Sequence, residues 1–144
     1  MSAGATIYEP GGATQPDLPM SERPHELATC SDLVPYRLTE GIVARALHGE
    51  RVTVSIVDLE PNLSMVEHRH ANEQVGVVLR GEITFTIDNE TRKRVPGDMW
   101  VIPSGHPHSV VVGPEGCTVV EVFAPHRDDW EALERLEPAP GAWP

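Results

Sequence analysis

Hydrophobic and polar side chains alternate along much of the middle of this chain. Residues 51–56 alternate in this way, and so do residues 82–87. Because successive side chains on a strand point to opposite faces, this period predicts β-strands with one buried face. Asp88 and Asn89 come directly after the second segment and predict a hairpin turn. Further apolar runs, each bounded by glycine or proline, predict strands at residues 99–102, 109–112 and 118–123.

Many short strands at close spacing predict an all-β antiparallel sandwich or barrel. We place this domain at residues 34–126. Residues 1–33 precede it, and their proline-rich and glycine-rich start has few large apolar side chains, which predicts an extended N-terminal arm. Residues 127–144 follow it, and we expect a short C-terminal helix there, packed outside the barrel and continued by a proline-rich tail.

The charge balance excludes some partners. The 144 residues include 11 basic and 22 acidic side chains, a net charge of -11 that would repel nucleic acid and an anionic membrane surface. Its apolar runs are also far shorter than the ~20 residues that cross a bilayer. Two distant cysteines and the absence of a secretory signal predict a reduced, cytoplasmic protein. We expect a small molecule as its ligand and a homodimer as its assembly, because extended arms often pack on a neighbouring subunit.

Three histidines and a glutamine are spaced as ligands of one metal ion would be. His68 and His70 are separated by one residue, so on a strand their side chains share a face and can bind one metal ion as a bidentate pair. Gln74 follows four residues later, and His108 ends a second segment that contains two predicted turns. We expect the other histidines outside this site: His25, His48 and His126 as solvated side chains, and His106 as an exposed turn residue. A role for His106 as a partner of the site or as an extra ligand stays open.

These residues resemble the two sequence motifs of the cupin family. The first motif, two histidines, a third ligand and a glycine, is matched at His68, His70, Gln74 and Gly81. The second motif is matched at Gly97, Pro103, Gly105 and His108. The resemblance covers the central half of the chain and implies a double-stranded β-helix, the jelly-roll barrel of cupins. It also implies one divalent metal ion, held by His68, His70, Gln74 and His108.

The chain departs from the family pattern at three positions. Asn62 replaces the opening glycine and Val112 an asparagine, and both changes concern turn geometry. Gln74 stands where many members have glutamate, so a bound ion would keep its full positive charge and be a stronger Lewis acid. Imidazole and amide ligands suit several metals; we favour zinc, and iron, nickel, manganese or copper stay open. A metal-free barrel, in which the histidines are only hydrogen-bonded, is the alternative.

Two further residues are candidates for catalysis. If Glu121 faces the barrel interior, burial would raise its pKa and let it carry a proton; if it faces outward, it is only a solvated charge. Arg127 could clamp a substrate carboxylate, or else pair with Asp98 or Glu131 on the surface. The run from Glu121 through Phe123 to Arg127 resembles the end of small cupins that open the ring of unsaturated uronates. In those proteins the acid, the phenylalanine and the arginine line the pocket.

Three classes of function follow. The first, which we favour, is a metal-dependent cyclase or isomerase that acts on a carbonyl-rich small molecule without redox change. Within it we favour an aromatic polyketide cyclase, because the chain's size, arm and tail are similar to those of cupin cyclases of aromatic polyketide biosynthesis. A uronate ring-opening isomerase belongs to the same class. A mostly apolar cavity would favour the cyclase, whereas a uronate would need Arg127 or another cation. The second class is a cupin dioxygenase with redox-active metal. The third is a ligand-binding barrel without turnover.

Overall fold

The computed structural model describes residues 19–144, and almost all of its regular structure is β-sheet. This confirms the all-β prediction. The strands are β1 (Tyr36–Thr39), β2 (Ile42–His48), β3 (Thr53–Leu59), β4 (Ser64–His68), β5 (Glu73–Ile87), β6 (Glu90–Arg94), β7 (Met99–Ile102) and β8 (His108–Ala124). Two short 3-10 helices, Cys30–Asp32 and Asp128–Ala132, flank them. No helix in this part of the chain has the length and apolarity needed to cross a membrane.

Two long strands organise the sheet. β5 and β8 pair antiparallel along most of their length, with register shifts near Gly81. The first part of β5 and the last part of β8 lie between β3 and β7, while their other parts lie between β4 and β6. The same two strands therefore contribute to two adjoining sections of sheet. All strand pairs are antiparallel, with the main order β1-β2-β3-β8-β5-β6.

Gly81 allows the two long strands to approach closely where they change section. Its φ is +74°, and a Cβ there would lie 1.9 Å from the carbonyl oxygen of Gly116. Only glycine fits such a conformation and such a contact without strain. This explains in physical terms why the first motif ends on a glycine.

The inward faces of the strands form one hydrophobic core. Residues of β3 alternate between buried and more exposed, as the sequence pattern predicts. Phe85 and Trp100 pack with ring centroids 4.7 Å apart, and the indole lies against Gly76, where a Cβ would be 2.3 Å from the ring. The hairpin at Asp88 and Asn89 is confirmed, since both residues have positive φ as a two-residue type I′ turn requires.

Two predicted features differ from the structure. Residues 109–112 and 118–123 belong to one strand, β8, because its bulges let it continue past the glycines that suggested a break. The C-terminal helix is a single 3-10 segment, Asp128–Ala132, and it does not pack outside the barrel: Trp130 is buried in the core. Beyond it Arg135 forms a β-bridge with Tyr36. Most of the predicted arm, residues 1–18, lies outside the described residues.

Candidate metal centre

The three motif histidines converge at one end of the barrel interior. His68 ends β4 and is paired with His108, the first residue of β8, while His70 lies in the turn that leads to β5. One ring nitrogen from each residue lies within 4.8 Å of the others. The ring centroids of His68 and His108 are 4.3 Å apart, and those of His70 and His108 are 5.1 Å apart. These three side chains are positioned to bind a metal ion.

Backbone hydrogen bonds orient all three rings. The Nδ1 of His68 lies 3.0 Å from the carbonyl oxygen of Val66, and that of His108 lies 2.9 Å from the carbonyl oxygen of His106. The Nδ1 of His70 lies 2.9 Å from the carbonyl oxygen of Asn72. A carbonyl only accepts, so each Nδ1–H donates and each neutral ring keeps its lone pair on Nε2. Hydrogen bonds from the ring nitrogen that does not bind the metal fix the tautomer of metal-binding histidines in this way.

Burial keeps two of these rings neutral. Desolvation is the main cause that lowers the pKa of His70 and of His108 below the usual histidine value. The Nε2 of His108 is also buried without any hydrogen-bond partner among the described residues. A neutral imidazole with a buried, unpartnered lone pair is what a metal ligand requires, so the residues present fit a divalent metal ion.

Gln74 connects the imidazoles to a carboxylate. Its side chain is buried, and its amide nitrogen donates to Oε1 of Glu121 at 2.6 Å. The amide oxygen therefore faces Nε2 of His70, 3.1 Å away. Because Nδ1 of His70 already donates, two acceptors meet here, and a cation between them would satisfy both. The amide oxygen of Gln74 thus lies beside one of the three clustered imidazoles, that of His70.

Glu121 faces inward, as the alternation of β8 allowed. It lines the same cavity as the three histidines. Burial raises the pKa of Glu121 to about 7, and the hydrogen bond from Gln74 and the charge of Arg127 partly oppose this. A carboxyl group with this pKa can both accept and donate a proton near neutral pH.

Arg127 lies at the cavity wall but does not make either of the surface pairs considered for it. Its Nε and Nη2 donate to the two carboxylate oxygens of Asp129 at 2.9 and 2.8 Å. The guanidinium also lies over the rings of Phe123 and Trp130, 4.9 and 5.0 Å from their centroids. The planar group is thereby held in place with Nη1 unused by these contacts.

The cavity that joins these groups has a volume of about 460 Å³. Of its 20 lining residues 12 are apolar, among them Ile42, Val57 and Phe85. The polar residues include the four predicted metal ligands and both predicted catalytic residues. A small organic molecule can therefore contact the apolar wall and the polar groups at the same time.

The sequence did not point to Asp129 and Trp130, which also line this cavity. Both belong to the C-terminal segment, for which the sequence predicted only a short helix. The remaining histidines lie outside the metal cluster of the described residues, as expected. His106 bonds to Asp88, and His48 is not merely solvated: it contacts the hydroxyls of Tyr36 and Thr53.

Comparison with known proteins agrees with this architecture. A family model described as a cupin domain matches residues 55–123. The HTH-type transcriptional regulator PuuR of Escherichia coli K12 is 26% identical over 118 residues, which cover 78% of this chain and 62% of PuuR. The chain thus spans less than two thirds of that relative.

Two solved structures share the fold. KdgF from Halomonas sp. has a TM-score of 0.68 at 23% identity, covering 74% of this chain and 98% of KdgF. An RmlC-like cupin from Shewanella frigidimarina has a TM-score of 0.67 at 20% identity, covering 74% of this chain and 96% of the other. Residues 55–123 thus match a cupin domain, and the chain has the fold of small cupins.

Proposed function

We propose that this cupin is a metal-dependent enzyme that isomerises a small carbonyl compound carrying a carboxylate, without a change in redox state. The unsaturated uronates are the substrate class that fits best. The observation that carries the proposal is the contact of Gln74 with both His70 and Glu121, which puts a proton-carrying group beside the imidazole cluster. Arg127 lines the same cavity.

Each group has a separate role in this proposal. His68, His70, His108 and Gln74 would hold one divalent ion, for which we favour zinc. When bound, the ion would supply Lewis acidity that polarises a carbonyl oxygen. Glu121 takes a proton from one substrate atom and returns it to another, so the composition of the substrate is unchanged. Arg127 holds the substrate carboxylate through its unused Nη1, and the apolar wall excludes water.

A cyclase of aromatic polyketide precursors is the second candidate. The observation that favours it is the apolar majority of the cavity wall, which suits a poly-β-ketone chain better than a sugar acid. The two candidates differ in what they require from Arg127. A neutral poly-β-ketone needs no cation at the wall, whereas a uronate does.

Glu121→Gln tests the proton-transfer role directly. We expect kcat to fall by roughly 10²- to 10⁴-fold, the usual contribution of a general acid or base, while metal content per chain stays the same. The matched control is Glu73→Gln, because Glu73 lies one residue before Gln74 on β5 and is exposed. Full activity of Glu121→Gln would exclude this residue as the proton carrier.

Anaerobic turnover of an unsaturated uronate and of a poly-β-ketone separates the remaining candidates. Uronate turnover with a KM raised by Arg127→Met supports the proposal. Turnover of the β-ketone alone, with a KM unchanged by that substitution, supports the cyclase. Activity that requires dioxygen and iron would favour a dioxygenase, and binding without turnover of either compound would favour a non-catalytic barrel.

A further inference from the structure

A second cavity lies between β6 and β7. Among the described strands, each of these two pairs only with β5, so each has one unpaired edge. The cavity has a volume of about 390 Å³, which is within the usual range of small-molecule sites. We call it the edge cleft. Its lining residues are Phe85, Ile87, Glu90, Arg92, Arg94, Met99, Trp100 and Val101.

The edge cleft is separate from the cavity of the metal centre. None of the predicted metal ligands or catalytic residues lines it, and Phe85 is the one described residue that lines both cavities. The ring of Phe85 packs against that of Trp100, and both side chains are buried. These two rings therefore form a wall between the edge cleft and the metal centre.

The side of β6 that faces the core carries charged side chains. Its three charged residues on this side are each paired with an apolar residue of β5, and directly paired residues share a face of the sheet. Those β5 residues belong to the hydrophobic core or pack against it. A strand position on the core side is normally apolar. The pairs are Ile87 with Glu90, Phe85 with Arg92 and Ile83 with Arg94.

One guanidinium in the edge cleft has no acidic partner. Arg92 forms an ion pair with Glu90. Arg94 is half-buried, and its guanidinium makes no ion pair and no side-chain hydrogen bond with the rest of residues 19–144. The cleft thus holds two cations and one anion, in a chain that has 22 acidic and 11 basic side chains. One negative charge on a ligand would balance it.

We propose that the edge cleft is a second ligand site, which binds a small monocarboxylate with an apolar body. The carboxylate accepts hydrogen bonds from the guanidinium of Arg94, whose planar donors match two carboxylate oxygens. The apolar body lies against Ile87, Trp100 and Met99. Met99 is 71% exposed, so a ligand there also removes apolar surface from water.

Protection of the strand edge is a weaker explanation of these charges. Inward-pointing charges on an edge strand can prevent pairing with other chains. That role accounts for charge on β6, but it requires neither a cavity bounded by apolar side chains nor a half-buried guanidinium without an acceptor. The two explanations differ in whether an apolar carboxylate binds.

Calorimetric titration of the full chain with 2-naphthoate tests the proposal. We expect one molecule to bind per chain, with an affinity at least roughly 10-fold above that of 2-naphthamide, which has the same rings but no charge. Arg94→Gln should weaken 2-naphthoate binding by roughly 10- to 100-fold, the usual effect of removing a hydrogen bond to a charged group.

Lys93→Gln is the matched control. Lys93 is the neighbouring residue on β6, and its Nζ lies 3.4 Å from a carboxylate oxygen of Glu82 on the other face of the sheet. It removes the same charge as Arg94→Gln but lies outside the cleft, so affinity should stay within about twofold. Arg127→Met and His108→Ala should likewise leave this affinity unchanged, because both residues line the other cavity.

Four results would overturn the proposal. They are no binding of 2-naphthoate at about 1 mM, equal affinity for 2-naphthamide, unchanged affinity in Arg94→Gln, and binding that is lost in Arg127→Met or His108→Ala. The last result would place the anion at the metal centre. If circular dichroism shows that Arg94→Gln does not fold, Met99→Glu takes its place. It puts a negative charge on the exposed side of the cleft, and unchanged affinity would again overturn the proposal.

Discussion

Gln74 is the side chain that joins the two halves of the site. Glutamate would bring a negative charge to this position, next to the carboxylate of Glu121. The amide instead donates to Glu121 with its nitrogen and presents its oxygen to His70. The glutamine is therefore compatible with an adjacent carboxyl group that changes its protonation state, whereas two carboxylates in contact would repel each other.

Gln74→Ala should weaken metal binding less than the loss of a histidine. A water molecule can replace a neutral amide oxygen, so we expect metal affinity to fall by roughly 10- to 100-fold. This is the loss usually seen when a residue that hydrogen-bonds to a metal ligand is mutated. His68→Ala, His70→Ala and His108→Ala each leave an incomplete chelate and should lose stoichiometric metal. Titration with zinc and a competing chelator measures both effects. Equal losses of metal affinity for all four variants would show that Gln74 contributes as much to metal binding as each histidine.

For single residues, the sequence predicted those parts of the candidate site that depend only on local spacing along a strand. The one-residue separation of His68 and His70 and the alternation around Glu121 are consequences of strand geometry alone. The pairing of Arg127 with Asp129 could not be predicted in the same way. Arg127 stands just before the 3-10 segment Asp128–Ala132, whereas in the helix predicted for this part of the chain side chains two residues apart do not face each other.

Among the elements, the C-terminal segment differs most from its prediction. A hydrogen-bonded group of residues connects it to β2 and β3. The hydroxyl of Thr53 accepts from the backbone N–H of Arg127 at 2.8 Å and lies 2.8 Å from Nδ1 of His48. The Nε2 of His48 is in turn 3.2 Å from the hydroxyl of Tyr36. These partly buried hydrogen bonds hold Arg127 and the following Trp130 at the cavity.

Thr53→Val should destabilise the protein by about 1–3 kcal/mol. The substitution keeps the shape of the side chain but leaves the buried Arg127 N–H and His48 Nδ1 without their partner. Urea unfolding followed by circular dichroism measures the change in the free energy of unfolding. Thr86→Val is the control, since its hydroxyl bonds to Thr91 at an exposed position and should matter by about 0.5 kcal/mol or less. Equal effects of the two variants would contradict the role given to Thr53.

The strands themselves were easier to predict than their connections. Period-two alternation located β3 and the end of β5, and an apolar run bounded by glycine and proline located β7. It could not show that β5 and β8 each continue through a bend. That continuity depends on bulges and on close backbone approaches at Gly81 and Gly116, which involve residues far apart in the chain.

At the scale of the whole molecule, strand alternation explains both the lining of the cavity and the apolar outward face of β5 and β8. Alternation on β5 and β8 sends Gln74 and Glu121 into the cavity, while their neighbours Val75, Val120 and Val122 face outward. A sheet whose outward side meets only water would have polar residues there. The side chains of the candidate site therefore lie on the opposite face of these strands from the outward valines.

The cupin resemblance, the all-β class and the clustering of the motif histidines were predictable from sequence, because the motif residues and their spacing are local. The substrate was not, because a cavity wall collects side chains from many elements. Zinc, the arm and the homodimer stay predictions. A bound metal ion would also stabilise the fold, since a ligand at 100 times its Kd adds about 2.7 kcal/mol to a folded state that alone binds it.

Metal content of the purified protein tests the central claim most directly. Elemental analysis of the wild-type chain should find about one divalent ion per chain, and His108→Ala should retain less than about a tenth of that. His106→Ala is the matched control and should keep the ion, since His106 lies two residues away and bonds to Asp88 instead. A wild-type protein without metal, which also fails to take up zinc, iron, nickel, manganese or copper when these are added, would contradict the account.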